Sequence, residues 1–259
     1  MSMRTLPARL SSCRAPWLFS LFVFAALVMN PGLACAQQQV SKRFPAANNV
    51  RLVIKNISGK VTVESWNRSE VKVTATLESP AANVDPKQLR DGVMVDVMGD
   101  NRGRGDIGNV NFKIQVPANF IVDIETRIGD ITIANIRSEM VRAHVSSEGD
   151  IELMGIVATK VYAQNMVGNI FFDGEVSRGG LYQFQAGRGD ISIRIPANSS
   201  FDLSASAPDK KLALGQFWNN TFITFGEGKK FSKTVVEVND GRARLAIRNY
   251  DGGITFVRR

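Results

Sequence analysis

Hydrophobic and polar residues alternate along most of the chain in short runs separated by glycine, asparagine and aspartate. The runs at residues 50–55, 61–66 and 71–77 are rich in β-branched residues and place every second side chain on one face. Turn-forming residues stand between these runs, as at residues 56–59. No convincing amphipathic helix interrupts the series. The pattern predicts an all-β protein.

One short phrase recurs between residues 122 and 203: a glycine, then an aspartate or asparagine, then an isoleucine. Its glycines are Gly129, Gly149, Gly168 and Gly189, so the steps are 20, 19 and 21 residues. A nearly constant period of this length is typical of proteins whose repeats are coils stacked on one another. The sequence therefore predicts a single-domain β-solenoid, similar to a β-helix, over residues 48–257. Its core repeats would lie at 122–203, with coils of about 20 residues and short strand regions at both ends.

The phrase is expected to form the corner between two strands of a coil, because glycine adopts positive φ without steric cost. The next residue is Asp130, Asp150, Asn169 or Asp190, and such side chains hydrogen-bond the local backbone at turns. Stacked strands lie about 4.8 Å apart, so the three carboxylates would repel one another and a bound Ca²⁺ would relieve this. Asn169 interrupts the series, however, and the glycine-rich nonapeptide of calcium-binding β-helix repeats is absent. Turn capping is the favoured interpretation, with no metal or other cofactor predicted and Ca²⁺ as the alternative.

The first 36 residues predict a secretory signal peptide. Three arginines within the first 14 residues precede the apolar segment 17–29, and the small-residue site 34–36 follows. A retained anchor and acylation of Cys35 are the alternatives, but the apolar segment is short against the roughly 20 residues that span a bilayer. Cleavage after Ala36 predicts an exported protein, periplasmic, at the cell surface or secreted, whose mature chain has no transmembrane span. Residues 37–47 are expected to form a flexible N-terminal arm.

Cysteine content and charge exclude several functions. Both cysteines, Cys13 and Cys35, lie in the leader, so the mature chain would have no disulfide, thiolate nucleophile or cysteine metal site. The net charge of +8 falls to +5 without the three arginines of the leader. The remaining basic residues are scattered, whereas proteins that bind nucleic acid cluster them. Nucleic acid is therefore not predicted as a partner. The charge instead predicts a mild attraction to anionic envelope polymers or lipid headgroups.

Few residues are candidates for catalysis. His144 is the single histidine of the chain and falls on an outward position, so it is interpreted as a solvated surface residue. Parallel β-helix polysaccharide lyases and hydrolases use acidic and basic residues on an outer face. Residues of these types are predicted on the outer face here at Asp123, Glu125, Arg142 and Lys160. The analogy of fold is the only support for an enzyme, so no catalytic residue is predicted.

Two aromatic residues fall on outward positions of adjacent strands, Tyr162 and Phe171. Exposed aromatic rings stack on sugars or anchor a protein partner, since they combine a large apolar face with few rotatable bonds. Cover by a loop is an equal alternative. Tyr162 and Phe171 are therefore the candidate partner-contact residues.

The order of these motifs resembles a family of exported bacterial β-strand-repeat proteins, a domain of unknown function often labelled "putative adhesin". The resemblance covers residues 48–257 and rests on the segment 57–63, Val116-Pro117, the Gly-Asp-Ile series and the closing segment 251–256. It implies a β-solenoid and an envelope location, and it brings no catalytic residues. We therefore expect a non-catalytic exported cell-envelope protein that binds or scaffolds an envelope protein or polysaccharide through its faces. A polysaccharide-acting β-helix enzyme and an accessory structural envelope factor are the alternatives.

Overall fold

The computed structural model describes residues 38–46, 50–208, 211–215, 217, 223–226 and 231–259. The predicted signal peptide, residues 1–36, lies outside the described residues. Within them the chain is all-β, as predicted, with a single turn of helix, α1 (Val97–Asp100). No helix in the described part has the length and apolarity that a membrane crossing requires.

The strands follow one another along the chain in this order. The first ten are β1 (Gln38–Pro45), β2 (Arg51–Ser58), β3 (Val61–Trp66), β4 (Glu70–Leu77), β5 (Lys87–Leu89), β6 (Gly92–Asp96), β7 (Val110–Pro117), β8 (Ile121–Ile128), β9 (Ile131–Ala134) and β10 (Arg137–Glu148). The others are β11 (Ile151–Val167), β12 (Ile170–Arg188), β13 (Ile191–Ile195), β14 (Phe201–Pro208), β15 (Leu212–Ala213), β16 (Ile223–Gly226), β17 (Phe231–Val238), β18 (Arg244–Asp251) and β19 (Ile254–Arg258).

These strands pair in two ladders, which we name A and B. Ladder A has the spatial order β5-β6-β2-β8-β10-β11-β12-β18-β14-β17-β16, and its pairs from β6 to β14 are parallel. Ladder B has the order β1-β4-β7-β3-β9-β11-β12-β13-β19-β15, and its pairs from β7 to β15 are parallel. The long strands β11 and β12 contribute their first halves to ladder B and their second halves to ladder A. The prediction of one strand before and one after each corner glycine is therefore confirmed.

We call a strand of ladder A together with the strand of ladder B that follows it along the chain a row. The corner glycines stack in register from one row to the next. Gly149 has φ +153° and Gly168 has φ +131°, a region that favours glycine. A Cβ atom on Gly168 would lie 2.2 Å from the carbonyl oxygen of Gly149, and one on Gly149 would lie 2.2 Å from that of Gly129. The corner thus requires glycine for two reasons: its positive backbone angle and the close approach of the neighbouring row.

The core lies between the two ladders and consists of the inward residues of each strand. The apolar residues of the repeats belong to this inward set, since Val122, Ile131, Ile151, Ile170 and Ile191 are all buried. Three asparagines also point inward at the corners and were not predicted: Asn56, Asn165 and Asn249. Their amide groups donate hydrogen bonds to corner carbonyls, including those of residues 59, 149 and 189. Buried amides therefore satisfy backbone acceptors where the chain turns.

One local prediction near the N-terminus was wrong. Residues 37–47 were expected to be a flexible arm, but β1 lies antiparallel to β4 over its whole length. Val40 and Phe44 are partly buried against the core, so burial of alternate residues fixes this strand. Further along the chain, β5 occupies residues 87–89 and α1 follows β6 directly.

At both ends the spatial order of the rows differs from their order along the chain. The pair β2 and β3 lies between β6/β7 and β8/β9. The pair β18 and β19 lies between β12/β13 and β14/β15. The three strands nearest the C-terminus are β17, β18 and β19. Because β18 inserts beside β12, its outward residues join those of β12 on the outer face of ladder A.

Candidate binding groove on ladder A

Three depressions lie side by side on the outer face of ladder A, with volumes of about 470, 330 and 280 Å³. Tyr162 lines the first two and His144 the last two, so the surface is continuous. We call it the ladder A groove. It is defined by Arg142, His144, Tyr162, Gln164, Gln185 and Arg248.

The groove arises from a change in side-chain size along equivalent outward positions. Tyr162 is in register with Gln183 on β12, which is in register with Ala246 on β18 and, through it, with Ser204 on β14. Large side chains on β11 and β12 therefore stand beside small ones on β18 and β14. Since neighbouring strands are about 4.8 Å apart, this step leaves a recess in the sheet surface.

The described side chains that line the groove include two arginines and one histidine but no carboxylate. Arg142 donates a hydrogen bond to Asp123 Oδ1 at 2.8 Å, and Asp123 also pairs with Arg51. Asp123 was predicted to point outward, and it does, but the two arginines cover it and leave only 7% exposed. Arg248 contacts the hydroxyl of Tyr250 at 3.5 Å and forms no ion pair within the described chain. The groove therefore presents a net positive surface.

His144 lies on the outer face at the junction of two depressions. Its side chain is 24% exposed, which is less than the predicted solvated surface residue would be. The Nδ1 atom is buried without a hydrogen-bond partner and lies 3.9 Å from Glu125 Oε1. The ring thus forms part of the groove wall rather than a free surface group.

The corner end of the groove is apolar. Met166 is 59% exposed and Tyr250 is 46% exposed, and both line the depression of about 280 Å³ together with Gly187. A Cβ atom on Gly187 would lie 2.4 Å from the carbonyl oxygen of Met166, so the backbone itself forms this floor. Met166 and Tyr250 were not predicted as contact residues, although each follows a buried asparagine and so falls on an outward position.

The two predicted contact aromatics do not form one patch. Tyr162 is half-buried in the ladder A groove, whereas Phe171 is half-buried on the outer face of ladder B. Phe171 lines a separate depression of about 290 Å³ with Asp130, Asp150 and Glu152. The structure therefore places the pair on surfaces of different charge.

The candidate metal ligands act as caps along the corner. Asp130 Oδ1 accepts a hydrogen bond from the backbone N–H of Asp150 at 3.1 Å, and Asp150 Oδ1 accepts one from that of Asn169 at 2.6 Å. Asp190 Oδ1 accepts one from the N–H of Gly253 at 2.7 Å. Each of these carboxylates binds the next row. Among the described residues, no group of three His, Cys, Asp or Glu side chains is arranged to hold a metal ion.

Other charged positions are paired away from the groove. Lys160 Nζ donates a hydrogen bond to Glu139 Oε1 at 2.8 Å, and this contact raises the pKa of Lys160. A further depression, of about 690 Å³, has Asp240 and Arg242 in its lining, and these two side chains pair with each other. Of the four residues considered for an enzyme, only Arg142 lines the ladder A groove.

Comparison with known proteins gives structural likenesses only. No family model and no curated protein matches the sequence. A "putative cell adhesion protein" from Clostridium sporogenes ATCC 15579 is similar at TM-score 0.48 and 11% identity, over 86% of this chain and 100% of that one. A "putative adhesin" from Bacteroides fragilis NCTC 9343 is similar at TM-score 0.36 and 9% identity, over 86% and 99%. A "putative lipid binding protein" from Parabacteroides distasonis ATCC 8503 is similar at TM-score 0.27 and 9% identity, over 85% and 97%. At these scores none of the likenesses assigns a function to this chain.

Proposed function

We propose that the protein is an exported, non-catalytic cell-envelope protein, built as a β-solenoid, that binds another envelope component through the ladder A groove. The observation that carries this proposal is the joining of three depressions on one outer face. A continuous recess with aromatic, amide and cationic side chains is the kind of surface that recognises a ligand.

The solenoid part of the proposal is supported by the strand register. Rows related by about 20 residues pair in parallel on both ladders, as stacked coils require. The corner glycines stack as well, with Gly129 against Gly59 and Gly252 against Gly189. Every second residue of the parallel strands faces the core between the ladders.

Export is supported by the leader-like sequence of residues 1–36. The expected product of cleavage begins at Gln37. Expression in a bacterium with a secretory pathway, followed by mass spectrometry of the extracytoplasmic protein, tests this directly. Recovery of the intact Met1 terminus would contradict cleavage, and recovery of an acylated Cys35 would identify a lipoprotein.

The non-catalytic part of the proposal concerns the ladder A groove, whose composition differs from that of a glycoside hydrolase site. Most glycoside hydrolases use a pair of carboxylates, one on each side of the scissile bond. The described side chains that line the ladder A groove include none. Release of reducing or unsaturated sugars from envelope polysaccharides by the purified protein would overturn this part of the proposal.

Binding is tested by recovery of envelope components on the immobilised protein. The double variant Tyr162→Ala, Tyr250→Ala removes both aromatic rings from the groove, and we expect it to recover less material than the parent. Phe171→Ala is the matched control on ladder B and is expected to recover as much as the parent. Equal recovery by all three proteins would contradict the assignment to the groove.

A further inference from the structure

We propose that the ladder A groove binds an acidic polysaccharide, with Arg248 as the main anchor for its anionic groups. This inference rests on the proposed function and names the class of ligand for the same surface. Three properties of the groove support it: its charge, its free amide groups and its length.

The charge of the groove selects for an anion. Arg142 and Arg248 line it without any carboxylate among the described lining residues. Arg142 is partly neutralised by Asp123 at 2.8 Å, whereas Arg248 has no ion pair in the described part of the chain. A guanidinium group binds carboxylate, phosphate or sulfate through paired hydrogen bonds. Arg248 is therefore the cation best placed to accept a ligand anion.

The amide groups of the groove suit hydroxyl-rich ligands. Gln164 and Gln185 are in register on β11 and β12, and Gln183 lies two residues from Gln185 on the same face. No hydrogen bond within the described residues occupies any of these three amides. Each amide offers donors and an acceptor, and each sugar hydroxyl does the same. Adjacent strands thus repeat a pattern that suits a polymer of similar units.

The dimensions of the groove favour a chain over a single sugar. Its lining residues lie on five neighbouring strands of ladder A, in the order β10, β11, β12, β18 and β14. This width corresponds to about 19 Å at the usual strand spacing. Tyr162 and Tyr250 both contribute to its walls, and their rings offer apolar faces for the C–H face of a pyranose. Several sugar units would be needed to contact both tyrosines and Arg248.

The opposite outer face provides an internal comparison. The depression around Phe171 on ladder B contains Asp130, Asp150 and Glu152, with Lys60 as its one basic residue among those described. An acidic polymer would be repelled there. Selective binding to ladder A is therefore expected from the charges that line the two depressions.

The experiment compares polymers that differ only in charge. We would titrate the protein with polygalacturonate, alginate and hyaluronan, and with their methyl-esterified forms, by isothermal calorimetry at low salt. We expect binding of at least one of the acidic polymers and about tenfold weaker binding of its ester, because charge-assisted hydrogen bonds are lost. Arg248→Gln should weaken the acidic polymer by about the same factor. Arg194→Gln, which removes one positive charge from ladder B, should leave the affinity unchanged.

Each other outcome would overturn the inference. Equal affinity for the acidic and esterified polymers would exclude recognition of the anion. Equal affinity of Arg248→Gln and the parent, at unchanged melting temperature, would exclude Arg248 as the anchor. Failure of all three acidic polymers to bind would exclude this ligand class. If envelope recovery still depended on Tyr162 and Tyr250, the proposed function would survive that failure.

Discussion

The depressions on the outer faces of ladders A and B both lie over parallel strands, but their lining residues differ in charge. On ladder A the groove contains Arg142 and Arg248 and no acidic residue among those described, whereas the ladder B depression contains Asp130, Asp150 and Glu152. The inward residues of both ladders are constrained by the shared core. The outward residues are free of that constraint. The difference shows that two faces built on one core differ in charge through their outward and corner residues.

The largest expected effect is on the corner that both ladders share. Gly168→Ala would place Cβ 2.2 Å from the carbonyl oxygen of Gly149 at φ +131°. We expect it to lower the free energy of unfolding by about 3 kcal/mol, measured by urea denaturation.

Gly179→Ala is the matched control for the corner. Gly179 also has positive φ, +71°, but a Cβ there would contact nothing within 4 Å. We expect a loss of about 1 kcal/mol from backbone strain alone. Equal losses of unfolding free energy at the two positions would show that the close stacking of the corner glycines makes no contribution to stability.

The next effect concerns a buried phenol where β12 bends between the two ladders. The Tyr182 hydroxyl accepts a hydrogen bond from the N–H of Ser177 at 2.7 Å and lies 2.7 Å from the carbonyl oxygen of Ala158, to which it donates. Tyr182→Phe would leave these two groups without that partner, so we expect a loss of about 2 kcal/mol in the free energy of unfolding. A loss below the error of a urea titration would contradict the contribution of this bond.

Alkaline pH tests the same residue in another way. Burial raises the pKa of Tyr182 above its ordinary value near 10. The folded state therefore favours the neutral phenol, so this stabilisation is complete below the ordinary pKa and is lost as pH rises through the folded pKa. We expect unfolding free energy to fall with pH in that range in the parent and to fall less in Tyr182→Phe. Identical pH profiles would contradict this.

A smaller effect is expected from the corner caps. Asp150→Ala removes the acceptor of the Asn169 N–H bond, at 2.6 Å, and should cost about 1 kcal/mol. Asp150→Asn keeps an acceptor oxygen and should cost less. Thermal melts with Ca²⁺ and with chelator are expected to coincide, and a higher melting temperature with Ca²⁺ would favour metal binding over capping.

The smallest effect on stability should come from the outer faces themselves. Ser204→Glu adds a carboxylate to the ladder A groove, and Thr255→Glu adds one to the outer face of ladder B. Both should change the free energy of unfolding by less than about 0.5 kcal/mol. Of the two variants, we expect only Ser204→Glu to reduce the recovery of envelope components. Equal recovery by the two variants would remove the functional distinction between the faces.

Much of the fold follows from local sequence patterns, and the groove does not. Alternation predicted the inward residues, and the glycine period predicted the corner. The groove also needs Arg248 on β18 beside Gln185 on β12, and this pairing joins residues 63 positions apart. No local pattern specifies that β18 inserts between β12 and β14, because each strand has suitable edges for several partners. The outward position of Tyr162 was predicted from the alternation of inward and outward residues along its strand. Its separation from Phe171 was not, because it depends on which ladder each half of the long strands joins.

The most direct test of the distinction between the two faces compares two double variants of equal charge change. Arg142→Gln with Arg248→Gln removes two cations from the outer face of ladder A. Lys113→Gln with Arg194→Gln removes two from the outer face of ladder B. The measurement is the affinity of each protein for the acidic polymer that the parent binds most tightly, with thermal melts as the control for folding. We predict that binding is lost in the first variant and retained in the second. Equal weakening in both would show that binding follows net charge alone and would contradict a groove on ladder A.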